Sequence, residues 1–447
     1  MSRHFVVVGG GLAGCSAALT CADAGARVTL LEARRRLGGA TYSFQRDGLW
    51  FDNGQHVHLR CCTAYRAFID RIGASDMVTM QRRLAIPVIR PGHGVAWIKR
   101  ANLPAPLHLA LSLGTYRHLS VVERLQLARA LIGLMRLDLR DVSLDAHTFG
   151  RWLRARGQSD GSLEALWDLI VLPTVNLPSA EASLSLAAMV FKVGLLRDRS
   201  AADMGYTTTT LGRAHSDQGL RALRAAGVDV QLGVAVSEVG VEPGGELRVR
   251  RQGEDLAADA IVLAVPHSQA ARLVPADADP EAARFADLGA VPIVNLHVIY
   301  DRPVMPHPFA AGVGTPVQWV FDRTQAAGLS EGQALAVSLS GAVAYAQVPT
   351  DVLREQFVAE LARLFPRARE ARVRGFYVTR EHQATFRQGP GSLARRPGPR
   401  TTLPNLALAG AWTDTGWPAT MEGAVRSGNR AADHALKALG LPTPVEA

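Results

Sequence analysis

Lysine is almost missing from this chain. It occurs only at Lys99, Lys192 and Lys437, so nearly all of the 49 basic residues are arginine, and their excess over 40 acidic ones gives a formal net charge of +9. The arginines are scattered, with neither zinc-finger spacing nor an aromatic RNP segment among them, which argues against a nucleic-acid partner. An anionic membrane surface remains a partner that such a charge would attract. Cysteine is equally scarce: Cys15, Cys21, Cys61 and Cys62 have neither metal-ligand spacing nor the density of a disulfide scaffold. They read as buried or idle thiols in a reducing cytosol. No run reaches the roughly 20 apolar residues of a membrane-spanning helix. The nearest, 101–116, is short and contains Pro104, Pro106 and His108. G-x-S-x-G elbows, P-loops and zinc-type clusters are absent as well, so no metal site is expected. These absences point to a cytoplasmic protein, with peripheral contact on the inner face of the cell membrane left open.

What is present is glycine in a telling arrangement. At 447 residues the chain exceeds a single core, and a hydrophobic fraction of 48% supplies two domains and an apolar pocket besides. The opening "MSRHFVVVGGGLAGCSAAL" has a basic start and an apolar core but no clear cleavage site, and reads as folded protein. A β-branched run from Phe5 to Val8 stops at Gly9, a small-residue helical stretch follows to Gly25, and a second strand from Arg27 delivers Glu32. Gly9, Gly11 and Gly14 stand at G-x-G-x-x-G spacing between strand and helix: the first for a tight turn, the second for backbone approach to a pyrophosphate, the third for close helix packing. Phosphate then sits where free helix N–H groups favour negative charge, and Glu32 is placed to accept hydrogen bonds from a ribose.

Next comes "EARRRLGGATYSFQRDGLWFDNGQHVHLRCC", in which an arginine cluster and the Gly38-Gly39 pair follow the acid directly, where a nicotinamide dehydrogenase would proceed to another strand. The chain closes on "GAWTDTGWPATMEGAVRSGNRAADHAL", which reads as a loop over 410–418 and a helix from Met421. The two segments together resemble the FAD-binding signature of the amine oxidase and phytoene desaturase superfamily. That resemblance implies that Arg34, Gly38 and Gly39 contact FAD. Arg36 would replace the arginine that relatives carry at the position of Ala40. The backbone of Val236 would meet the adenine, Gly54, Gln55 and His56 would lie near the flavin, and the N-terminus of the last helix at Met421 would face the flavin ring. Helix N–H groups aimed at that edge stabilise the charge that develops on reduction. Ala411 replaces an acid that relatives direct at the ribityl chain, with Asp414 as its stand-in. Glu422 reads as a cap on the first turn of its own helix, with a catalytic role as the alternative. The expected fold class is α/β, with a Rossmann-like FAD-binding domain built from the discontinuous segments 1–70, 208–272 and 396–447. An α+β substrate-binding domain would take 71–207 and 273–395.

On the substrate side, residues 120–136 carry Val121, Leu125, Ala128, Ile132 and Met135 on one helical face behind a Ser120–Glu123 capping box. The favoured reading is a core-facing helix, the alternative a membrane-docking surface. "DNGQH", "QWVFDR" and the terminal segment are most similar to the hydroxysqualene dehydroxylase branch of the superfamily. The implied reaction is reductive removal of an allylic hydroxyl from a C30 isoprenoid by reduced FAD, fed by an unidentified electron donor. His56 is the first candidate proton donor and a neutral Asp414 the second. The alternatives are a carotenoid or squalene-type desaturase, a flavin amine oxidase, and a non-catalytic flavoprotein. The amine oxidase reading is disfavoured because no lysine occurs in "PIVNLHVIY", where that subgroup carries one.

Overall fold

A computed structural model describes residues 3–242 and 246–443. Five parallel strands form its first sheet: β1 (His4–Val8), β2 (Arg27–Glu32), β3 (Asp229–Leu232), β4 (Ala260–Leu263) and β5 (Leu406–Leu408), in the order β3-β2-β1-β4-β5. Both faces are covered, which is why β1 is buried throughout. Its side chains alternate between two cores. Phe5 and Val7 join one built with α1 (Leu12–Asp23), α2 (Thr63–Arg71) and α4 (Met421–Ala438), while Val6 and Val8 join Val239, Val249 and Leu263 on the other face. That second face is roofed by the antiparallel strands Val236–Val241, Leu247–Arg251 and Glu254–Ala258.

α1 is a helix of small side chains because it is wedged between the sheet and α4. A Cβ on Gly14 would stand 1.8 Å from the Gly9 carbonyl oxygen, and one on Gly428 of α4 would stand 2.1 Å from the Ala13 carbonyl oxygen. The chain thus brings residues more than four hundred positions apart into backbone contact.

The second large sheet has seven strands, in the order Val373–Thr385, Val291–Tyr300, Gln333–Leu339, Trp319–Asp322, Phe309–Gly312, Ala85–Arg90 and Gly94–Lys99. Along Val291–Tyr300 the period of two separates a dry face from a polar one. Val294, Leu296 and Val298 pack against Leu353, Phe357 and Leu361 of the helix Thr350–Leu364. Asn295 and His297 point the other way, toward residues 51–54. A third, largely helical core between 107 and 196 surrounds the fully buried Trp167. The small sheet of Val57–Leu59, Met204–Thr207 and Val78–Met80 ties segments from both sides of the sequence-derived boundary together.

One expectation is overturned here. The helix α3 (Val121–Arg136) forms with its capping box in place, but the apolar stripe expected to face the core is outside. Val121, Leu125, Ile132 and Met135 are exposed, and the buried positions are Leu127, Ala130 and Leu134. The helix carries apolar residues on two faces, and the neighbouring core has room for only one.

Candidate active site and cofactor cradle

The site opens at the carboxyl ends of the parallel strands, beside β1 and β4, where the chain reverses its direction of travel across the sheet. Gly9 leaves β1 with φ +106, and a Cβ there would lie 2.3 Å from the Ala264 carbonyl oxygen. The turn therefore accepts no side chain. Gly11 caps α1 without any side-chain bond, so the first-turn N–H groups of α1 remain available. A Cβ on Gly11 would meet only the Gly39 Cα, at 3.8 Å, which leaves an open cradle. The glycine pair is stitched to this loop: the Gly38 N–H donates to the Gly10 carbonyl at 2.8 Å, and Gly39 (φ +56) lies close enough that its Cβ would fall 2.9 Å from the Gly11 Cα. Gly9, Gly11, Gly14, Gly38 and Gly39 are thus one structural unit around an open cradle at the start of α1.

Glu32 ends β2 beside that unit, nearly buried. Its two oxygens accept the Gly10 N–H at 2.6 Å and the Arg34 N–H at 2.7 Å, and each keeps a lone pair for a ribose hydroxyl. Arg34 contributes backbone, since its carbonyl accepts the Gly233 N–H while its side chain is exposed. Val234 donates to the Glu32 carbonyl at 2.9 Å, which places the start of the strand Val236–Val241 two residues from Glu32's partner. Arg36 folds over Tyr42, 3.7 Å from the ring centroid, and donates to the Gly39 carbonyl at 3.1 Å. It is held over the glycine pair while Ala40 is exposed.

At the other end Met421 begins α4. Thr420 caps the helix through the Gly423 N–H, leaving the N–H groups of Met421 and Glu422 directed out of the helix end. Glu422 does not cap its own helix, contrary to the sequence reading. Its buried carboxylate accepts the Ala64 and Tyr65 N–H groups of α2 and pairs with Arg426 at 2.6 Å. Asp414 lies in the loop before this helix, where its Oδ1 accepts the Gly416 N–H at 3.0 Å in a turn. The residue that sequence reasoning missed in this loop is Arg396. It is buried and donates to the carbonyls of Ala411, Trp412 and Thr413, and desolvation pushes its guanidinium down to about 10. No local pattern marks it, since its partners are carbonyl groups.

The wall around residues 51–56 combines neutral amides and imidazoles with the Asp52–Arg323 ion pair and the Glu381 carboxylate, which accepts from Asn53 Nδ2 at 3.3 Å. The segment 53–56 lies against Asn295, whose Nδ2 donates to the Asn53 carbonyl at 2.9 Å, and a Cβ on Gly54 would lie 3.4 Å from that amide. Tyr65 and His215 share a 2.8 Å hydrogen bond, and His58 stacks edge-on against Tyr65. Desolvation pushes His56, His58 and His297 down to about 4 and His215 to about 3, so all four imidazoles are neutral at pH 7. Asp52 and Arg323 pair at 2.8 Å beside a small cavity of about 10 Å³ lined by Gln55, Thr210 and His297, which is room for one water. Gln55 Nε2, Asn295 Oδ1 and His297 Nε2 are buried without a hydrogen-bond partner. His56 and Asp414 occupy separate surroundings, the first with Asn295 and the second beside Arg396.

The family described as flavin containing amine oxidoreductase matches residues 12–436. The chain is 31% identical to the hydroxysqualene dehydroxylase of Rhodopseudomonas palustris over 98% of its own length and 99% of that protein's. It is 24% identical to the 15-cis-phytoene desaturase of Narcissus pseudonarcissus, over 96% of this chain and 78% of that one. Its fold is that of the cyclohexylamine oxidase from Brevibacterium oxydans, with a TM-score of 0.72 and 18% identity over 98% of this chain and 100% of that chain. The open glycine cradle, the spare lone pairs of Glu32 and the free N–H groups at the start of the helix from Met421 are features that FAD would fit. The chain belongs to the flavin-containing amine oxidoreductase family and is an FAD-dependent oxidoreductase.

Proposed function

We propose that this oxidoreductase removes the allylic hydroxyl of hydroxysqualene to give squalene, a step of hopanoid or terpenoid synthesis. The observation that carries the reading is the inner face of Val291–Tyr300. It turns Asn295 and His297 toward residues 51–54, in the strand where an amine-directed member would carry lysine. Neutral groups with spare hydrogen-bonding capacity match an uncharged alcohol on an apolar chain. The relative of like length named hydroxysqualene dehydroxylase supports the same choice.

In this reading the substrate's carbon–oxygen bond breaks and the hydroxyl takes up a proton to leave as water. When bound in its reduced form, FAD supplies the hydride that completes the new carbon–hydrogen bond. The chain's own contribution is to hold and dry the alcohol. Asn295 Oδ1 accepts from its O–H, and Gln55 Nε2 donates to its oxygen. His56 is the proton donor, and the one-water cavity beside Gln55 receives the departing water. Because desolvation keeps His56 neutral at rest, the proton it gives is first taken up from solvent, and the resulting desolvated imidazolium is a strong acid suited to donation to a poor leaving group.

The desaturase reading, supported by the phytoene desaturase relative, needs the opposite redox state. Anaerobically reduced enzyme incubated with hydroxysqualene is expected to form squalene and reoxidise its flavin in step, the donor being dithionite in this assay. Product formed only by oxidised enzyme, and bearing an added double bond, would replace the proposal with desaturation. His56→Asn is expected to lower kcat at unchanged KM and to shift the acidic limb of the pH profile.

A further inference from the structure

Among the described residues, nine of the twelve large hydrophobic side chains that stand exposed lie between Leu103 and Val142. Such crowding is not the scatter expected of a soluble surface. Val121, Leu125, Ile132 and Met135 project from α3, while Leu107 and Leu111 project from the helical turns before it. The two parts form one surface region because Arg124, in the first turn of α3, donates to the Gly114 and Leu119 carbonyls.

Basic side chains border this apolar region. An open groove of about 620 Å³ runs beside the C-terminal half of α3, lined by Arg129, Arg136 and Arg156 together with Ile132, Gly133 and Leu137. No carboxylate lines it, and none of the three arginines makes an ion pair among the described residues. Arg156 is built into the groove: its guanidinium lies 3.7 Å from the Trp152 ring centroid, and a Cβ on Gly133 would stand 2.8 Å from its Nε. Three guanidiniums lining one groove without counter-charges among the described residues have the chemistry that recognises a phosphate. Exposed leucine, isoleucine and methionine alongside them suit the boundary between headgroups and acyl chains.

We propose that residues 103–142 dock this oxidoreductase on an anionic phospholipid bilayer, with Leu107, Leu111, Leu125 and Ile132 at the acyl boundary and a lipid phosphate in the Arg129–Arg136–Arg156 groove. Charge selects the occupant. A second copy of this chain would bring the same arginines against each other, whereas an anionic bilayer neutralises them. The proposal does not depend on which reaction the flavin site performs.

The test is co-sedimentation of the FAD-loaded full chain with vesicles of mixed phosphatidylglycerol and phosphatidylcholine, and with phosphatidylcholine alone, at low and high salt. Wild type is expected to bind the anionic vesicles at least tenfold more tightly, and to be released in part by salt. Leu111→Asp with Leu125→Asp should reduce binding at least tenfold at either salt, and Arg129→Glu with Arg136→Glu should abolish the preference for anionic lipid. Flavin content and melting temperature should be unchanged in both variants, so a loss of binding reports the surface and not misfolding. Equal binding by wild type and both variants, or no binding to any vesicle, would overturn the proposal. So would a leucine variant that turns a dimer into a monomer in light scattering while vesicle binding stays at the wild-type level, since the surface would then belong to a second copy.

Discussion

α1 and α3 are both helices rich in apolar residues, and they meet opposite fates. α1 is hidden between the parallel sheet and α4, and its glycines let backbone touch backbone. α3 rests one narrow face, Leu127, Ala130 and Leu134, on the helical core and leaves Val121, Leu125, Ile132 and Met135 in solvent. The contrast teaches that apolar content does not decide burial. What decides it is whether another element has a surface shaped to cover the helix. In α1 the covering element arrives from the far end of the chain, because Gly428 allows α4 to settle on Ala13.

The largest expected effect therefore lies at that crossing. Gly428→Leu would place atoms where the Ala13 carbonyl already stands, and overpacking of this kind costs about 1–3 kcal/mol or more. Loss of bound FAD and a large fall in melting temperature are expected. A variant that melts like wild type would show that the two helices separate at little cost.

Acid should act next, through the buried imidazoles. His58, His215 and His297 have folded pKa values pushed below their ordinary value by desolvation. The unfolded chain therefore takes up protons first, and the stability due to their neutrality is complete above pH 6.5 and lost as pH falls toward 4. Each contributes a slope of up to about 1.4 kcal/mol per pH unit. Melting followed from pH 7 to pH 5, above most carboxylate titrations, is expected to show this fall, and His58→Asn with His297→Gln to flatten it. A flat wild-type profile would mean that these rings are hydrated.

Glu422→Gln weakens the cap on α2 and unpairs Arg426, for which about 3 kcal/mol is expected in denaturant unfolding. An unchanged midpoint and slope would return Glu422 to the minor role read from sequence. Glu32→Ala should weaken FAD binding by about 1.5–3 kcal/mol, measured by titrating apoprotein with FAD. Unaltered affinity would remove Glu32 from the cradle. The smallest effect belongs to α3: Leu125→Ser should change unfolding stability by no more than about 0.5 kcal/mol. A larger loss would mean that this stripe is covered in solution and would erase the contrast with α1.

Much of the cofactor cradle was legible in the sequence because its requirements are local. Gly9 and Gly38 need a positive φ, Gly14 needs to lack a Cβ, and an acid must end the second strand, so residue type at fixed spacing records the geometry directly. The substrate side was less legible. The apolar stripe of α3 had the right period for a helix, yet period carries no information on what lies opposite. Glu422 showed an acid in a first helical turn, and only the arrival of α2 gave that acid different N–H groups to hold. Arg396 gave no signal, because what it binds is the curved backbone of a loop.

The sequence by itself determined the parallel sheet's opening unit, the glycine cradle and the pairing of the two chain ends as one FAD signature. Each of these is written in contacts between near neighbours or in residues whose shape allows one conformation. Tertiary structure alone decided which face of α3 meets water, where Glu422 and Asp414 direct their carboxylates, and which polar atoms of Gln55, Asn295 and His297 are left without partners. Those outcomes depend on surfaces brought together from distant parts of the chain, where burial and hydrogen bonding are set by what is excluded from the contact as much as by the residue itself.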